Sequence, residues 1–289
     1  MSAVKKLDPV GSLYDFEDIK LTDKMFEKLA GRMYDLAGVD LPPSPKNHAL
    51  IRNRIVKLLR RHKLSTYEQY WEILEKGEHS FVQEFISALT TNMTSFYRES
   101  NHFDFLAKEL PVLQKKFGDL RLWCAAASTG QEPYTIAMTV CESLPDMTAA
   151  KTKILATDID LQVLKKASIG TYEEREMQGL PPTHRHKYFD KQKAADGSET
   201  WRTKDTLNKV LRFAQFNLMN PRYEFQFKFH VVICRNVLIY FDEATTKKVI
   251  NNLVECVAPG GYLILGHSES GNVKHAKLKP LSRAIYQKV

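Results

Sequence analysis

The stretch Arg-Leu-Trp-Cys-Ala-Ala-Ala-Ser-Thr-Gly-Gln-Glu-Pro-Tyr at residues 121–134 decides the fold. Together with Leu120, its first part is a short apolar run, typical of a strand buried on both faces of a parallel sheet. The small residues 127–130 follow, and Pro133 stands where the first turn of a helix tolerates proline. Strand, small-residue turn and helix predict the nucleotide-binding geometry of a doubly wound sheet. The turn has one glycine, Gly130, so it lacks the three-glycine fingerprint of an NAD(P) site.

The chain after residue 120 alternates between predicted strands and helices, which favours an α/β domain with a largely parallel sheet. Further strands are predicted at 154–160, 211–217, 231–235 and 262–266, with an edge strand at 284–289. The spacing of apolar residues predicts a helix over 245–257, ended by Pro259-Gly260-Gly261. The polar stretch 190–210 is typical of an exposed hairpin.

The chain before residue 120 is predicted to be helical, after a loosely ordered lead-in at residues 1–20. Apolar periodicity indicates four helices before residue 90, the third with a capping box formed by Ser65 and Glu68. The polar segment 90–99 is irregular, and a further helix is expected from Asn101 to Leu110, closed by Pro111.

Composition excludes several classes of protein. Hydrophobic residues make up 43% and charged residues 26%, which are ordinary globular values. No apolar stretch approaches the ~20 residues that span a bilayer, and the N-terminus lacks a secretory signal, so we expect a cytoplasmic protein without direct membrane insertion. The four cysteines form no CxxC pair and the nine histidines no HExxH motif, so no metal site is predicted. His184 and His186 are expected in a polar loop.

The net charge of +8, from 42 basic and 34 acidic residues, favours an acidic partner. A basic amphipathic segment at 46–61 carries much of this charge in the N-terminal part. Its apolar stripe is accompanied by five cationic residues: Arg52, Arg54, Lys57, Arg60 and Arg61.

Polar residues follow the predicted strands at or just beyond their carboxyl ends, and we expect them to share one rim of the sheet. They are Glu132, Asp158, Asn217, Arg235 and Asn236. A carboxylate at the end of the second strand is placed to accept hydrogen bonds from ribose hydroxyls. The chain has no Walker lysine after the turn, which favours a nucleoside ligand without a polyphosphate. S-adenosylmethionine fits that description.

Five blocks of sequence occur in an order that carries a family resemblance. They are Thr-Thr-Asn-Met-Thr-Ser-Phe-Tyr-Arg-Glu (90–99), Ala-Ala-Ala-Ser-Thr-Gly-Gln-Glu-Pro-Tyr (125–134), Ala-Thr-Asp-Ile-Asp (156–160), Cys-Arg-Asn-Val-Leu-Ile-Tyr-Phe-Asp (234–242) and Gly-His-Ser-Glu (266–269). From about residue 22 onward the chain resembles the CheR-type chemotaxis receptor methyltransferases. The resemblance implies methyl esterification of glutamate side chains on the cytoplasmic part of chemoreceptors, with S-adenosyl-L-methionine as cofactor, S-adenosyl-L-homocysteine as product and no metal.

The resemblance also implies an organisation of the chain. A small all-α domain is expected at 21–90 and a Rossmann-like methyltransferase domain at 91–289, with a small antiparallel β-subdomain at about 188–212. Cofactor-binding positions match Asn92, Thr94, Arg98, Glu132, Asp158, Asn217, Leu218, Arg235 and Asn236, and Tyr240 matches a tyrosine near the transferable methyl. Gln131 stands where an acidic residue is common, and Cys124 where a serine is common.

The expected reaction requires little acid–base chemistry. A glutamate acceptor has an unperturbed pKa near ~4.3, so it is already ionised near neutral pH. Catalysis then consists mainly of alignment. Arg98 is the candidate for orienting the acceptor carboxylate with its planar fork of donors, and Tyr240 the candidate for a second orienting contact.

Two partner contacts are expected from the resemblance. The Arg/Lys face of 46–61 would steer a glutamate-rich receptor helix, and the β-subdomain matches in place one that in some family members grips a receptor C-terminal tail peptide.

Two other functions stay open at this point. A nucleic-acid methyltransferase is compatible with the charge, although Asn220-Pro221-Arg222-Tyr223 lacks the second proline of the amino-methylating motif. A non-catalytic receptor adaptor that senses the cofactor would be expected to lose Arg98 or Tyr240, and both are present.

Overall fold

The computed structural model describes residues 19–194 and 196–289, apart from the side chains at 147, 148, 150 and 272. The predicted lead-in at 1–20 therefore lies almost entirely outside the described residues. The chain divides into two compact units. Among the described residues, one takes in 19–35 together with Leu41–Leu89, and the other consists of Leu36–Asp40 with Thr90–Val289.

The first unit is built from four helices: α1 (Asp23–Ala37, whose last two residues belong to the second unit), α2 (Pro45–His62), α3 (Tyr67–Glu75) and α4 (His79–Leu89). Their apolar faces form the core, in which Tyr70 packs against Phe81 and Phe85. The capping box predicted for α3 is wrong by one residue, because Thr66 is the N-cap and accepts from the Gln69 N–H. Gln69 in turn accepts from the Ser65 N–H.

The second unit contains a seven-stranded sheet in the order β6-β2-β1-β7-β8-β10-β9. Its strands are β1 (Arg121–Cys124), β2 (Lys153–Asp158), β6 (Leu211–Gln215), β7 (Phe229–Cys234), β8 (Val257–Leu265), β9 (Leu278–Ser282) and β10 (Ile285–Lys288). The first five of the order pair in parallel, and the last two are antiparallel. All six residues of β7 are buried, as expected for a strand covered on both faces.

Helices and short 3-10 turns connect these strands. The helices are α5 (Asn101–Phe117), α6 (Gln131–Ser143), α7 (Asp146–Lys151), α8 (Leu161–Ile169), α9 (Pro182–Tyr188), α10 (Asp205–Asn208) and α11 (Glu243–Cys256). The 3-10 turns are Glu174–Met177, Leu238–Tyr240 and His267–Asn272. Because β1 lies between β2 and β7, the chain leaves β1 at the point where the strand order reverses, which is where doubly wound sheets bind ligands.

A separate three-stranded antiparallel sheet has the order β3-β5-β4. It consists of β3 (Thr171–Glu173), β4 (Phe189–Lys193) and β5 (Glu199–Thr203). The hairpin predicted within 190–210 corresponds to β4 and β5, whereas β3 was not anticipated. The predicted fold class is confirmed: a mostly parallel sheet with a small antiparallel sheet, preceded by an all-α region.

Four further local predictions are wrong. Helix α5 does not close at Pro111 but continues to Phe117, because Leu110 and Leu113 keep its buried face in the core. Pro259-Gly260-Gly261 lies inside β8 and does not follow α11 as a stop. Strand β10 is interior, and β9 forms the edge.

The fourth concerns the histidines. His184 and His186 lie on helix α9, which the prolines at its start favour. Within the described parts of the chain, no helix is long and apolar enough to cross a bilayer.

Candidate active site

The turn between β1 and α6 brings the backbone close to the end of β2. Ser128 has a left-handed backbone with φ of 48°, and Gly130 has φ of 101°. A Cβ on Gly130 would lie 2.5 Å from the Tyr172 hydroxyl, so only glycine fits. The Ser128 N–H donates to Asp158 Oδ2 at 2.8 Å, which fastens the turn to the end of β2.

Asp158 is the carboxylate predicted to accept from a ribose. Burial raises its pKa to about 6, although hydrogen bonds from the backbone N–H groups of Asp160 and Ser128 oppose the shift. A carboxylate offers about four acceptor positions, so these two bonds leave capacity for ligand hydroxyls.

The irregular segment 90–99 is fastened to the same corner of the sheet. Asn92 donates to Asp160 Oδ2 at 3.1 Å, and its backbone carbonyl accepts from the Ser128 hydroxyl at 3.0 Å. Asp160 also caps α8 with its other oxygen. Thr94 lies further along this segment and is half-buried. The segment therefore joins the ends of β1 and β2.

Arg235, at the end of β7, holds a buried charge network. Its guanidinium is 1% exposed and lies 2.6 Å from Glu132 Oε2 and 3.1 Å from Glu99 Oε2. It also donates to the backbone carbonyl of Arg98 at 2.6 Å. Glu132 accepts from the Cys124 thiol at 3.3 Å, so α6, β1 and β7 meet at this network.

The charges in this network shift one another's protonation. Burial alone would raise the pKa of Glu99, but Arg235 and hydrogen bonds from Asn236 and His267 outweigh it and lower the pKa. Burial, with a contribution from Glu132, raises the pKa of the Cys124 thiol well above its usual range. Arg235 thus keeps Glu99 ionised, and Cys124 stays a neutral donor.

Arg98 lies between two strained residues of the same segment. Tyr97 has φ of 53° and Glu99 φ of 55°, values that are uncommon outside glycine and asparagine and cluster at functional sites. The Tyr97 N–H donates to Thr135 Oγ1 at 3.3 Å, and its hydroxyl hydrogen-bonds His184 Nδ1 at 2.7 Å. The Arg98 guanidinium donates to the Met93 carbonyl at 2.8 Å, and its side chain is half-exposed. Glu99 pairs with Arg235 rather than with Arg98.

Tyr240 and Asn217 both contact the short connection at residues 36–40, which belongs to the second unit. The Tyr240 carbonyl accepts from the Asp40 N–H at 2.8 Å, and the Asn217 side chain donates to the Leu36 carbonyl at 2.8 Å. Leu218 is buried in the apolar cluster around Trp123. Asn217 and Tyr240 thus bond the same connection, whereas Leu218 belongs to the apolar core.

Asn236 follows Arg235 in a left-handed turn, with φ of 57°. Its side chain donates to Glu99 Oε1 at 3.4 Å, and its N–H donates to Glu269 Oε2 at 2.9 Å. Glu99, Asp160 and Glu269 were not predicted as site residues. The only signal for Glu99 and Glu269 was their presence in the quoted blocks 90–99 and 266–269, since spacing does not show which atoms meet.

Glu99, His102 and His267 offer ligand atoms within 4.8 Å of one another. Burial and then Arg235 lower the pKa of His102 to about 4. The same guanidinium that disfavours a proton there also disfavours a divalent cation. Arg235, which pairs with Glu99 at 3.1 Å, therefore competes with any cation for that carboxylate.

Helix α2 presents its predicted docking residues unequally. Arg52, Lys57, Arg60 and Arg61 are exposed, and Arg61 pairs with Glu84 at 3.5 Å. Arg54 is half-buried and donates to the Ala88 carbonyl at 2.8 Å, so its guanidinium fastens α2 to the end of α4.

The sequence matches two domain families in succession. The CheR methyltransferase all-alpha domain matches residues 24–90, and the CheR methyltransferase SAM binding domain matches residues 92–286. The chain belongs to the CheR methyltransferase family. A chemotaxis protein methyltransferase of Escherichia coli is 36% identical over 255 residues, covering 88% of this chain and 87% of the relative. Another, from Borreliella burgdorferi, is 36% identical over 281 residues, covering 94% and 96%.

Membership of the CheR family confirms the predicted resemblance and identifies the chain as an S-adenosylmethionine-dependent methyltransferase. The residues of the β1–α6 turn suit such a cofactor. Residues 125–132 contain neither lysine nor arginine, while Asp158 and Glu132 supply carboxylates. Glu132 is already paired with Arg235, so Asp158 is the carboxylate of this set that would repel a polyphosphate and could accept from ribose hydroxyls.

Proposed function

We propose that this CheR family member transfers the methyl group of S-adenosylmethionine to glutamate side chains on the cytoplasmic helices of chemoreceptors. The names of its relatives support a chemotaxis substrate. The observation that carries the proposal is the fastening of segment 90–99. Asn92 donates to Asp160 after the end of β2, Arg235 donates to the Arg98 carbonyl, and the Arg98 side chain stays half-exposed.

Three parts of the rim would hold the cofactor. Asp158 would accept from the ribose hydroxyls, and Asn92 and Thr94 would line the same corner. Glu132, kept in place by Arg235, would face the amino-acid part. The Arg235 Nη groups are engaged by Glu132, Glu99 and the Arg98 carbonyl, whereas its buried Nε has no hydrogen-bond partner within the described residues. Arg235 would therefore serve the cofactor by holding Glu132 in place, and Asn236 would line the site beside it. Bound S-adenosylmethionine supplies an electrophilic methyl group on a sulfonium.

The remaining residues act on the acceptor. A glutamate carboxylate is ionised at neutral pH, so no general base is required. Arg98 would hold that carboxylate with its guanidinium fork, and Tyr240 would restrict its approach with the phenol hydroxyl. The strained residues on both sides of Arg98 reduce the freedom of its backbone, which favours alignment over chemical activation.

We also propose how the substrate is reached. The exposed cations of α2, namely Arg52, Lys57, Arg60 and Arg61, would attract the glutamate-rich receptor helix. The edge strand β4 of the small sheet offers a place for a receptor tail peptide. The all-α part at 21–90 would thus serve docking and the part from 91 onward catalysis, in the cytoplasm at receptor arrays.

The decisive experiment is incubation of the full chain with methyl-labelled S-adenosylmethionine and receptor-containing membranes. Alkali-labile label on the receptor supports glutamate esterification. Alkali-stable label on added nucleic acid would favour the nucleic-acid methyltransferase, and cofactor binding without any label would favour the adaptor.

Arg98 provides the sharper test of mechanism. We expect Arg98→Ala to lose at least ~10²-fold in kcat, because the acceptor is no longer oriented, and Arg98→Lys to recover part of it. Arg175→Ala, which removes an exposed arginine paired with Glu173, is the matched control and should keep full activity. Wild-type turnover in Arg98→Ala would remove Arg98 from the mechanism.

A further inference from the structure

The Glu269 carboxylate accepts four backbone N–H groups. Oε1 accepts from Val237 and Leu238, both at 2.8 Å, and Oε2 accepts from Asn236 at 2.9 Å and Gly266 at 2.6 Å. Buried N–H groups require partners, and here one side chain serves four of them. The proposed reaction uses none of these bonds.

The turn that Glu269 holds is unusual in two respects. Asn236 takes a left-handed conformation with φ of 57°. Gly266 leaves no room for a side chain, because a Cβ there would lie 2.6 Å from Glu269 Oε2 and 2.9 Å from Asn236 Nδ2. The three N–H groups of 236–238 therefore converge on the carboxylate rather than following a helix or strand.

This turn lies in the chain between two residues of the candidate site. Immediately before it, Arg235 ends the β7 strand region and holds Glu132 and Glu99. Immediately after it, the 3-10 turn Leu238–Tyr240 carries Tyr240. A shift of the turn would displace both residues together.

A second carboxylate fastens the same turn through side chains. Glu99 accepts from Asn236 Nδ2 at 3.4 Å and from the His267 N–H at 3.1 Å, and it pairs with Arg235. Glu99 thus bonds the side chains of Arg235 and Asn236, whereas Glu269 bonds the backbone N–H groups of the turn. Because Glu99 is the next residue after Arg98, the hydrogen bonds of Glu99 and Glu269 connect the two proposed substrate contacts, Arg98 and Tyr240.

We propose that Glu269 is a positioning residue for methyl transfer, which fixes the 236–238 turn so that Arg235 and Tyr240 keep their places on either side of it. This rests on the proposed role of Tyr240. Glutamine is the informative replacement, because it has the same shape but only one acceptor oxygen. Its NH₂ group would face two backbone N–H donors that need an acceptor.

The test uses the full chain and compares Glu269→Gln with Glu176→Gln. Glu176 occupies the same third position of a short 3-10 turn, accepts the Glu173 N–H at 3.0 Å and pairs with Lys166. Hydrogen exchange of the peptide covering 235–241 is measured together with kcat and KM for receptor methylation. Measurements are made well below the melting temperature of each variant.

We expect Glu269→Gln to exchange faster in 235–241 while the helices of the first unit keep their protection. We also expect kcat to fall by ~10²-fold, as for a misplacement of about 1 Å, with KM for the receptor within threefold of wild type. Glu176→Gln should change neither quantity. Glu269→Asp, which retains both oxygens, should recover part of kcat.

Two outcomes overturn the proposal: unchanged exchange in 235–241 with unchanged kcat, or a loss of kcat matched by faster exchange throughout the chain. A wild-type protein that labels no receptor would overturn the proposed function instead. The exchange measurement would then still decide whether Glu269 fixes the turn.

Discussion

Replacing Arg235 with methionine tests the buried charge network at its centre. The side chain is 1% exposed, with Glu132 Oε2 at 2.6 Å and Glu99 Oε2 at 3.1 Å. At an effective dielectric of ~20, each contact has a gross attraction of about 5 to 6 kcal/mol, most of which offsets desolvation. Removing one partner of a buried pair leaves the others uncompensated and costs about 3–5 kcal/mol. We expect that loss at pH 7.

The loss should depend on pH in a defined direction. Arg235 helps to hold the pKa of Glu99 below its usual value, so the stability that this carboxylate contributes is present at neutral pH and is lost as pH falls through that pKa. In Arg235→Met, burial acts without that opposition, and the pKa of Glu99 rises. Protonation of Glu99 then removes its uncompensated buried charge from the variant. The difference in free energy of unfolding between wild type and Arg235→Met therefore becomes smaller from pH 7 to pH 5.

Urea unfolding followed by circular dichroism at pH 7 and pH 5 measures both effects. The matched control is Arg175→Met, which breaks an ion pair with Glu173 whose side chains are 80% and 53% exposed. It should cost less than about 1 kcal/mol at either pH. A cost for Arg235→Met equal to that of the control, or one that grows on acidification, would refute the reasoning.

Three further predictions concern Asp158 at the rim, the exposed cations of α2 and the β1–α6 turn. The pKa of Asp158 is about 6 in the free protein, and hydroxyl donors from a bound ligand should lower it. Binding of S-adenosylhomocysteine should therefore release protons and weaken below pH 6. Calorimetry in buffers of different ionisation heat measures both effects. Reversing Arg52 and Lys57 to glutamate should raise KM for receptors by roughly tenfold at low salt, less at high salt, with kcat kept in steady-state assays. Gly130→Ala should lower the free energy of unfolding by about 1–3 kcal/mol in urea, because φ of 101° is strained for alanine and its Cβ would meet Tyr172.

Each of these has a control. Asp158→Asn should bind the ligand weakly with no pH dependence between 5 and 7, and a pH-independent wild type would contradict the assignment. Lys108 and Lys115 are exposed on α5, and replacing both with glutamate should leave KM for receptors unchanged. Gly31→Ala has nothing within 4 Å of the added Cβ and lies inside helix α1, so it should stabilise by up to ~1 kcal/mol.

The sequence contained most of the architecture, because apolar runs and small-residue turns depend on local chemistry. The stretch 121–134 showed strand, turn and helix in their observed places. Where the prediction failed, tertiary packing overrode a local signal: Leu110 and Leu113 carry α5 past Pro111. The Pro-Gly-Gly at 259–261 is accommodated inside β8, where the register with β7 shifts.

The candidate site was less accessible to sequence reasoning. Residue types at strand ends indicated Asp158 and Arg235, since parallel strands end at a common edge. Which atoms meet depends on side-chain directions that no spacing encodes. Thus the pairing of Arg235 with Glu99, the four bonds to Glu269 and the use of Arg54 inside its own unit appear only in the structure. The roles of these residues in methyl transfer stay predictions.

The connection at 36–40 has a consequence for exchanging parts between relatives. It consists of the last two residues of α1 and the three residues that follow, and its backbone atoms bond Asn217 and Tyr240 of the second unit. A chimaera that joins the all-α region of one relative to the α/β region of another at residue 90 would place a foreign segment 36–40 against Asn217 and Tyr240. Keeping the native 36–40 with its own α/β partner preserves both hydrogen bonds, so five residues, rather than the domain border, set where such a graft should be cut.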